Sequence, residues 1–189
     1  MDKLVVIVFA FAWGGVEVYA QTRLCRRSGG VPTAADRGSL MLLYACITVG
    51  YSVAFAVSFS PYGRLPVGQP LWLVVGAAFI AGGLWIRRSA MATLAAHFTY
   101  RVDIQADHRL VEEGLYRRIR HPGYLGQLLV FVGIGLALAN WLSILGLLVP
   151  VMVGFAWRIH VEEAALRARF GERFDDYCLR TRRLVPGLC

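Results

Sequence analysis

Five long apolar runs constrain this sequence more than any other feature. The runs cover Leu4–Ala20, Leu40–Phe59, Leu71–Ile86, Tyr124–Ala139 and Trp141–Trp157. Each is close to the roughly 17–25 residues that a helix needs to cross the hydrocarbon core of a bilayer. Hydrophobic residues make up 57% of the chain and the mean hydropathy is +0.55, which exceeds the usual values for soluble domains. The sequence therefore predicts an all-α, polytopic integral membrane protein with about five transmembrane helices.

The basic residues are distributed unevenly between the predicted loops. If the N-terminus lies outside, 18 of the 20 Lys and Arg residues fall on the cytoplasmic side, and only Lys3 and Arg64 fall outside. Because cytoplasmic loops carry an excess of such residues, we expect the N-terminus outside and the C-terminus inside. The net charge of +8 then indicates contact with anionic lipid headgroups or an anionic ligand, and nucleic acid is not an expected partner.

The first run is predicted to be a membrane anchor rather than a cleaved signal peptide. The opening Met-Asp-Lys has no net positive charge, and arginines follow the run closely, which would resist translocation. Glu17 lies near the inner end of this run, where a carboxylate can reach the interface. The cysteines show no metal-ligand spacing, so we predict neither a metal site nor a disulfide; they are Cys25, Cys46, Cys178 and Cys189.

The chain divides into two unequal parts. Residues 1–86 form a predicted scaffold of three transmembrane helices, in which small residues such as Ala78 and Gly82 suit close helix packing. Residues 87–189 form the predicted catalytic part. That part begins with an interfacial segment over Met91–His108, and it ends with an amphipathic cytoplasmic helix that is interrupted at Gly171.

A tight helical hairpin is predicted inside the second part, because only Asn140 separates the fourth and fifth apolar runs. The tip of this hairpin is expected outside, so the two inner ends must be neighbours. One inner end carries the segment RIRHPGY, residues 118–124, and the other carries RIHVEE, residues 158–163. The hairpin should therefore bring two polar motifs together at the membrane boundary.

The first of these motifs begins a helix. Pro122 suits the first helical position, where its missing N–H costs nothing. His121 then lies at the start of the helix, where free backbone N–H groups favour an anion. Tyr124 is three residues further on and shares a side with His121. We expect a polar, partly aromatic cluster at this point.

The second motif continues the fifth helix beyond its apolar part. Arg158 and Glu162 are four residues apart and share a face, whereas Glu163 points about 100° away and can pair with Arg167. Cationic, carboxylate and aromatic groups would thus meet between water and lipid. Such a site suits a zwitterionic soluble cofactor and an apolar substrate.

These motifs resemble a known family. The segments LVEEGLYRRIRHPGYLG and RIHVEEAALRARFGERFDDYCLRTRRLVPG are similar to the isoprenylcysteine carboxyl methyltransferases, whose signature is RHPxYxG and a paired glutamate on either side of a transmembrane hairpin. The resemblance covers about residues 109–187. It implies S-adenosylmethionine as methyl donor, bound between the RHPxY region and the C-terminal helix, and a lipophilic small-molecule or lipidated acceptor.

The resemblance also implies roles for individual residues. The cofactor-binding positions would be Leu115, Tyr116, Arg120, His121, Pro122 and Tyr124. The paired glutamates would be Glu162 and Glu163. If the acceptor is a carboxylate, Arg158 could hold it bidentately, while Glu162 orients that arginine or binds the ammonium group of the cofactor. Arg158, Glu162 and Glu163 are therefore the expected catalytic residues.

Three alternatives share part of this pattern. A phospholipid-type N-methyltransferase would use Glu162 to take a proton from an amine or to stabilise a cationic product. An NADPH-dependent membrane reductase could use the surplus arginines. A non-enzymatic lipid-binding protein would keep the arginine-rich face but would tolerate the loss of His121. The sequence leaves the acceptor and the oligomeric state open.

Overall fold

The computed structural model consists mainly of helices in the long segments that it describes. It describes residues 38–66, 68–94 and 110–184, together with the single helical positions Val8, Ala12 and Gly15. The three segments contain five α-helices and one short 3₁₀ helix, Gly114–Arg117; the α-helices are α1 (Ser39–Ser58), α2 (Gln69–Leu94), α3 (Pro122–Ala137), α4 (Trp141–Phe170) and α5 (Glu172–Arg180). Helices α1 to α4 correspond to the second to fifth apolar runs. The all-α class is confirmed.

Three of these helices are long and apolar enough to cross a membrane: α1, α2 and α4. Helix α3 is apolar but shorter, with 16 residues. Only 17% of the apolar window of α1, and the same share of that of α2, is buried inside the protein, so most of their side chains face outward, as lipid-facing helices require. The chain is an integral membrane protein.

Several predictions concern residues outside the described segments. The first apolar run Leu4–Ala20, with Glu17, belongs to them except for its three helical positions. The total of five spans therefore stays a prediction. Of the interfacial segment predicted for Met91–His108, residues 91–94 form the last turn of α2 and residues 95–109 lie outside the described part, so the interfacial position stays a prediction. The division of the chain at residue 86 also stays a prediction, and α2 runs continuously across it.

Helices α2 and α3 touch backbone to backbone through glycines. A Cβ atom added to Gly76 would lie 2.5 Å from the carbonyl oxygen of Gly133, and one added to Gly83 would lie 2.5 Å from that of Gly126. Gly82, which was predicted to suit close helix packing, does not take part in this contact: among the described residues nothing lies within 4 Å of a Cβ atom added to it. Ala78 is exposed as well. Small residues do mediate the packing, but on the adjacent face of the helix.

The predicted hairpin of the fourth and fifth runs is confirmed as α3 and α4. Asn140 lies at the tip and caps α4, because its side-chain oxygen accepts hydrogen bonds from the backbone N–H groups of Leu142 and Ser143 at 2.9 and 3.2 Å. Its amide nitrogen donates to the carbonyl oxygen of Tyr62 at 2.8 Å. The loop after α1 is thereby fastened to the tip, and the polar motifs are left together at the opposite end.

Replacing Gly83 by alanine should destabilise the protein, because the new methyl group meets backbone atoms of α3 that have no freedom to rotate away. Overpacking of this kind typically costs about 1–3 kcal/mol. Gly82→Ala, one residue away on a face that meets none of the described helices, is the matched control and should leave the unfolding midpoint unchanged or slightly raised. Thermal unfolding in detergent compares the two variants. Equal midpoints would contradict the packing described here.

Candidate active site

The start of α3 is held by the chain that follows α5. We call residues 181–184 the C-terminal strap. The backbone N–H groups of Arg120 and His121 donate to the carbonyl oxygens of Arg182 and Arg183 at 2.7 and 3.0 Å, and the N–H of Arg182 donates to Arg118 at 2.9 Å. The strap therefore lies alongside the RHP segment. As predicted, Pro122 is the first residue of α3.

Glu163 is the centre of a buried ionic cluster. Only 5% of its side chain is exposed, and three basic groups approach its carboxylate: Arg120 Nε at 3.0 Å, His121 Nε2 at 3.3 Å and Arg183 Nη2 at 2.9 Å. These groups come from the start of α3 and from the strap, whereas Glu163 itself belongs to α4. The cluster therefore ties three parts of the chain together.

The predicted pair of Glu163 with Arg167 is wrong. Arg167 Nε instead donates to Asp175 Oδ1 at 2.7 Å. The reason is the bend at Gly171, which has a left-handed φ of +54° and folds α5 back along the end of α4. Glu163 points into the bundle, while Arg167 remains on the exposed side.

Arg120 also holds the end of α5. Its Nη1 donates to the carbonyl oxygen of Cys178 at 3.1 Å and to the hydroxyl of Thr181 at 3.2 Å, besides the carbonyl of Thr181. Its side chain is 9% exposed. A guanidinium group has five N–H donors, and several of those of Arg120 point to the protein's own backbone. This arginine is well placed to hold the strap in position.

The second glutamate lies in a different environment. Tyr124 donates its hydroxyl hydrogen to Glu162 Oε2 at 2.9 Å, and the Nδ1 atom of His121 lies 3.9 Å from the same oxygen. The side chain of Glu162 is 35% exposed, against 5% for Glu163. Of the two adjacent carboxylates, Glu162 is the one that can still accept a charged partner from outside.

A chain of hydrogen bonds leads from Glu162 into the bundle. Arg158 Nε donates to the Tyr124 hydroxyl at 3.4 Å, and Arg158 Nη1 donates to Ser39 Oγ at 2.7 Å. Arg158 is only 3% exposed. As the spacing predicted, Arg158 and Glu162 share a face of α4, and Tyr124 joins them.

The 3₁₀ helix before the RHP segment packs under α5. Tyr177 donates its hydroxyl hydrogen to the backbone oxygen of Tyr116 at 2.7 Å, and burial raises the pKa of Tyr177 further above its usual value. Tyr116 is 8% exposed and Leu115 is partly buried. All the predicted site residues thus lie at one end of the hairpin.

Sequence reasoning missed four residues that take part in this end of the protein: Ser39, Arg87, Thr181 and Arg183. Arg183 belongs to a run of arginines that was attributed to the cytoplasmic surface as a whole. Arg87, which donates to the Gly123 carbonyl at 3.4 Å and is 9% exposed, was counted in the same way. The one available signal was that Arg87 directly follows an apolar run. Nothing in the sequence pointed to Ser39 or Thr181.

Comparison with known proteins supports the resemblance seen in the motifs. A family model described as phospholipid methyltransferase matches residues 71–173. That range covers most of α2, all of the hairpin and the start of α5.

Relatives of known family match over most of the chain. A probable protein-S-isoprenylcysteine O-methyltransferase of Oryza sativa subsp. indica is 30% identical over 166 residues, covering 82% of this chain and 87% of the relative. Protein-S-isoprenylcysteine O-methyltransferase B of Arabidopsis thaliana is 36% identical over 113 residues, covering 59% and 57% of the two chains.

A solved structure shows the same fold. The eukaryotic intramembrane Ras methyltransferase ICMT, an isoprenylcysteine carboxyl methyltransferase, superposes with a TM-score of 0.66 at 17% identity, over 99% of this chain and 68% of that protein. The family model, the plant relatives and this likeness agree with the RHPGY and paired-glutamate motifs. The chain belongs to the isoprenylcysteine carboxyl methyltransferase family.

Proposed function

We propose that this protein is an integral-membrane methyltransferase that esterifies the carboxylate of an isoprenylcysteine-type acceptor, with S-adenosylmethionine as the methyl donor. The observation that carries the proposal is the hydrogen-bonded chain of Glu162, Tyr124 and Arg158 at the end of the hairpin. It offers one open carboxylate and one buried guanidinium group within the same small region. The names of the plant relatives support the choice of acceptor.

The residues present fit a zwitterionic sulfonium donor. S-adenosylmethionine carries an ammonium group, for which Glu162 offers a partly exposed carboxylate. Tyr116 and Tyr124 supply aromatic surface, to which cations are attracted. Leu115, His121 and Pro122 complete the set of proposed cofactor-binding residues. When bound, S-adenosylmethionine supplies a methyl group that is attached to a positively charged sulfur. After transfer of the methyl group, the sulfur is left as a neutral thioether.

The acceptor needs little chemical activation. A carboxylic acid is ionised at pH 7 and requires no general base, so the protein has to bind the carboxylate, align it with the methyl group and exclude water. We assign the binding of the carboxylate to Arg158, because guanidinium and carboxylate groups match in bidentate geometry. The surrounding helices provide the apolar environment that a prenyl chain requires.

The two adjacent glutamates are proposed to have different roles. Glu162 is proposed to contact the donor. Glu163 is surrounded by Arg120, His121 and Arg183, so we propose that it acts by holding the strap and His121 in place. Arg120 has the same role through the backbone of α5. The site is proposed to face the cytoplasm, with the N-terminus outside, in agreement with the uneven distribution of arginines.

An amine acceptor fits this site less well. The family model is named for phospholipid methyltransferases, whose acceptor would be an amine. A buried arginine beside the reacting groups repels the cationic product of amine methylation, whereas it stabilises a carboxylate. The geometry therefore favours methylation at oxygen.

Glu162→Gln should weaken the binding of S-adenosylhomocysteine about tenfold or more, because the neutral amide no longer attracts the ammonium group. Glu172→Gln, an exposed position on α5, is the control and should bind like the wild type. Calorimetric titration of the purified protein in detergent measures both variants, with NADPH titrated in parallel.

Three results would contradict the proposed donor site. These are wild-type binding by the folded Glu162→Gln variant, binding of NADPH in place of S-adenosylhomocysteine, and binding of neither compound by folded wild-type protein. The second result would indicate a reductase, and the third a lipid-binding protein.

Glu163→Gln should mainly lower stability, because it leaves basic groups of the cluster buried without their carboxylate. Removing one partner of a buried ion pair costs about 3–5 kcal/mol. The unfolding midpoint should fall well below that of Glu162→Gln, whose side chain is partly exposed, and limited proteolysis should reach the strap sooner. A larger loss of stability in Glu162→Gln than in Glu163→Gln would contradict the division of roles.

A further inference from the structure

The first residue of α1, Ser39, contacts the candidate active site although it is distant from the site's other residues along the sequence. Ser39 is fully buried, and its Oγ accepts a hydrogen bond of 2.7 Å from Arg158 Nη1, across 119 positions of the chain. Gly38, with a left-handed φ of +69°, precedes it and lets the backbone turn into the helix at this point. No motif of the family resemblance includes Ser39.

Among the partners that hold Arg158 are two residues from different helices. Tyr124 of α3 accepts from Nε at 3.4 Å, and Ser39 of α1 accepts from Nη1 at 2.7 Å. A guanidinium group is planar and rigid. Contacts at these two nitrogens therefore restrict both its position and the direction of its plane, and the loss of the contact to Ser39 would leave that plane less restricted.

We propose that Ser39 is a positioning residue that orients the guanidinium plane of Arg158 and so makes the site selective for a carboxylate acceptor. The inference rests on the proposed function, in which Arg158 binds that carboxylate. Bidentate recognition needs both guanidinium N–H groups to point at the two carboxylate oxygens. A guanidinium group whose plane is less restricted keeps this alignment less well, and misplacement of a bound reactant weakens binding and slows transfer. Binding of the methyl donor should not depend on Ser39, since Glu162, at the other end of the chain of hydrogen bonds, is the proposed contact of the donor.

The test compares Ser39→Ala, Ser39→Thr and Ser58→Ala with the wild type in the full-length protein. Ser58 is a matched control, because it is also fully buried in α1 but lies at the opposite end, where its hydroxyl donates to the backbone oxygen of Phe55. The measurements are the KM and kcat for N-acetyl-S-farnesylcysteine, the Kd for S-adenosylhomocysteine, and the unfolding midpoint.

Ser39→Ala should raise the acceptor KM about tenfold, as expected for a lost hydrogen bond to a charged group, and should change the Kd for S-adenosylhomocysteine by less than about twofold. Ser39→Thr keeps a hydroxyl and should recover much of the acceptor affinity. Ser58→Ala should affect the unfolding midpoint but not the acceptor KM.

The inference is overturned if folded Ser39→Ala keeps the wild-type acceptor KM, or if its donor affinity falls as much as its acceptor affinity. It is also overturned if Ser58→Ala raises the acceptor KM equally, since a general loss of packing would then explain the effect. If the wild-type protein transfers no methyl group to any carboxylate acceptor, the proposed function itself fails and the inference falls with it.

Discussion

The buried carboxylate of Glu163 is the interaction on which the rest of the site depends. A charge with 5% exposure is stable only when it is paired, and its partners Arg120, His121 and Arg183 come from the start of α3 and from the C-terminal strap. One side chain thus links the inner part of α4 to the start of α3 and to the strap. The cluster also holds His121, whose Nδ1 atom lies 3.9 Å from Glu162 Oε2.

The neighbouring glutamate shows how one turn of helix can serve two purposes. Because successive residues are rotated by about 100°, Glu163 points into the cluster while Glu162 points towards the opening. Glu162 joins Tyr124 and Arg158, and through them Ser39. The buried ionic cluster of Glu163 therefore lies beside a chain of hydrogen bonds whose outer end, Glu162, is partly exposed. A membrane enzyme that brings a soluble donor to an apolar acceptor needs both.

Much of this arrangement could be predicted from the sequence, because it depends on local spacing. A single residue, Asn140, between two apolar runs leaves room only for a hairpin, and helical periodicity then places Arg158 and Glu162 on one face. The contacts of Ser39 and Arg183 could not be predicted, since they join segments that are distant along the chain and carry no motif. The glycines of the α2–α3 contact could not be predicted for another reason. Helix α2 has small residues on two adjacent faces, and only the packed structure shows that Gly76 and Gly83, and not Gly82, meet α3.

The most direct test of the central claim is methyl transfer by the purified protein in lipid nanodiscs. S-adenosylmethionine would be supplied with N-acetyl-S-farnesylcysteine, and in parallel with the carboxamide of the same compound and with phosphatidylethanolamine. We predict a base-labile methyl ester on the free acid alone. Methylation of the phospholipid amine, or no transfer to the free acid by protein shown to be folded and to bind the donor, would contradict it.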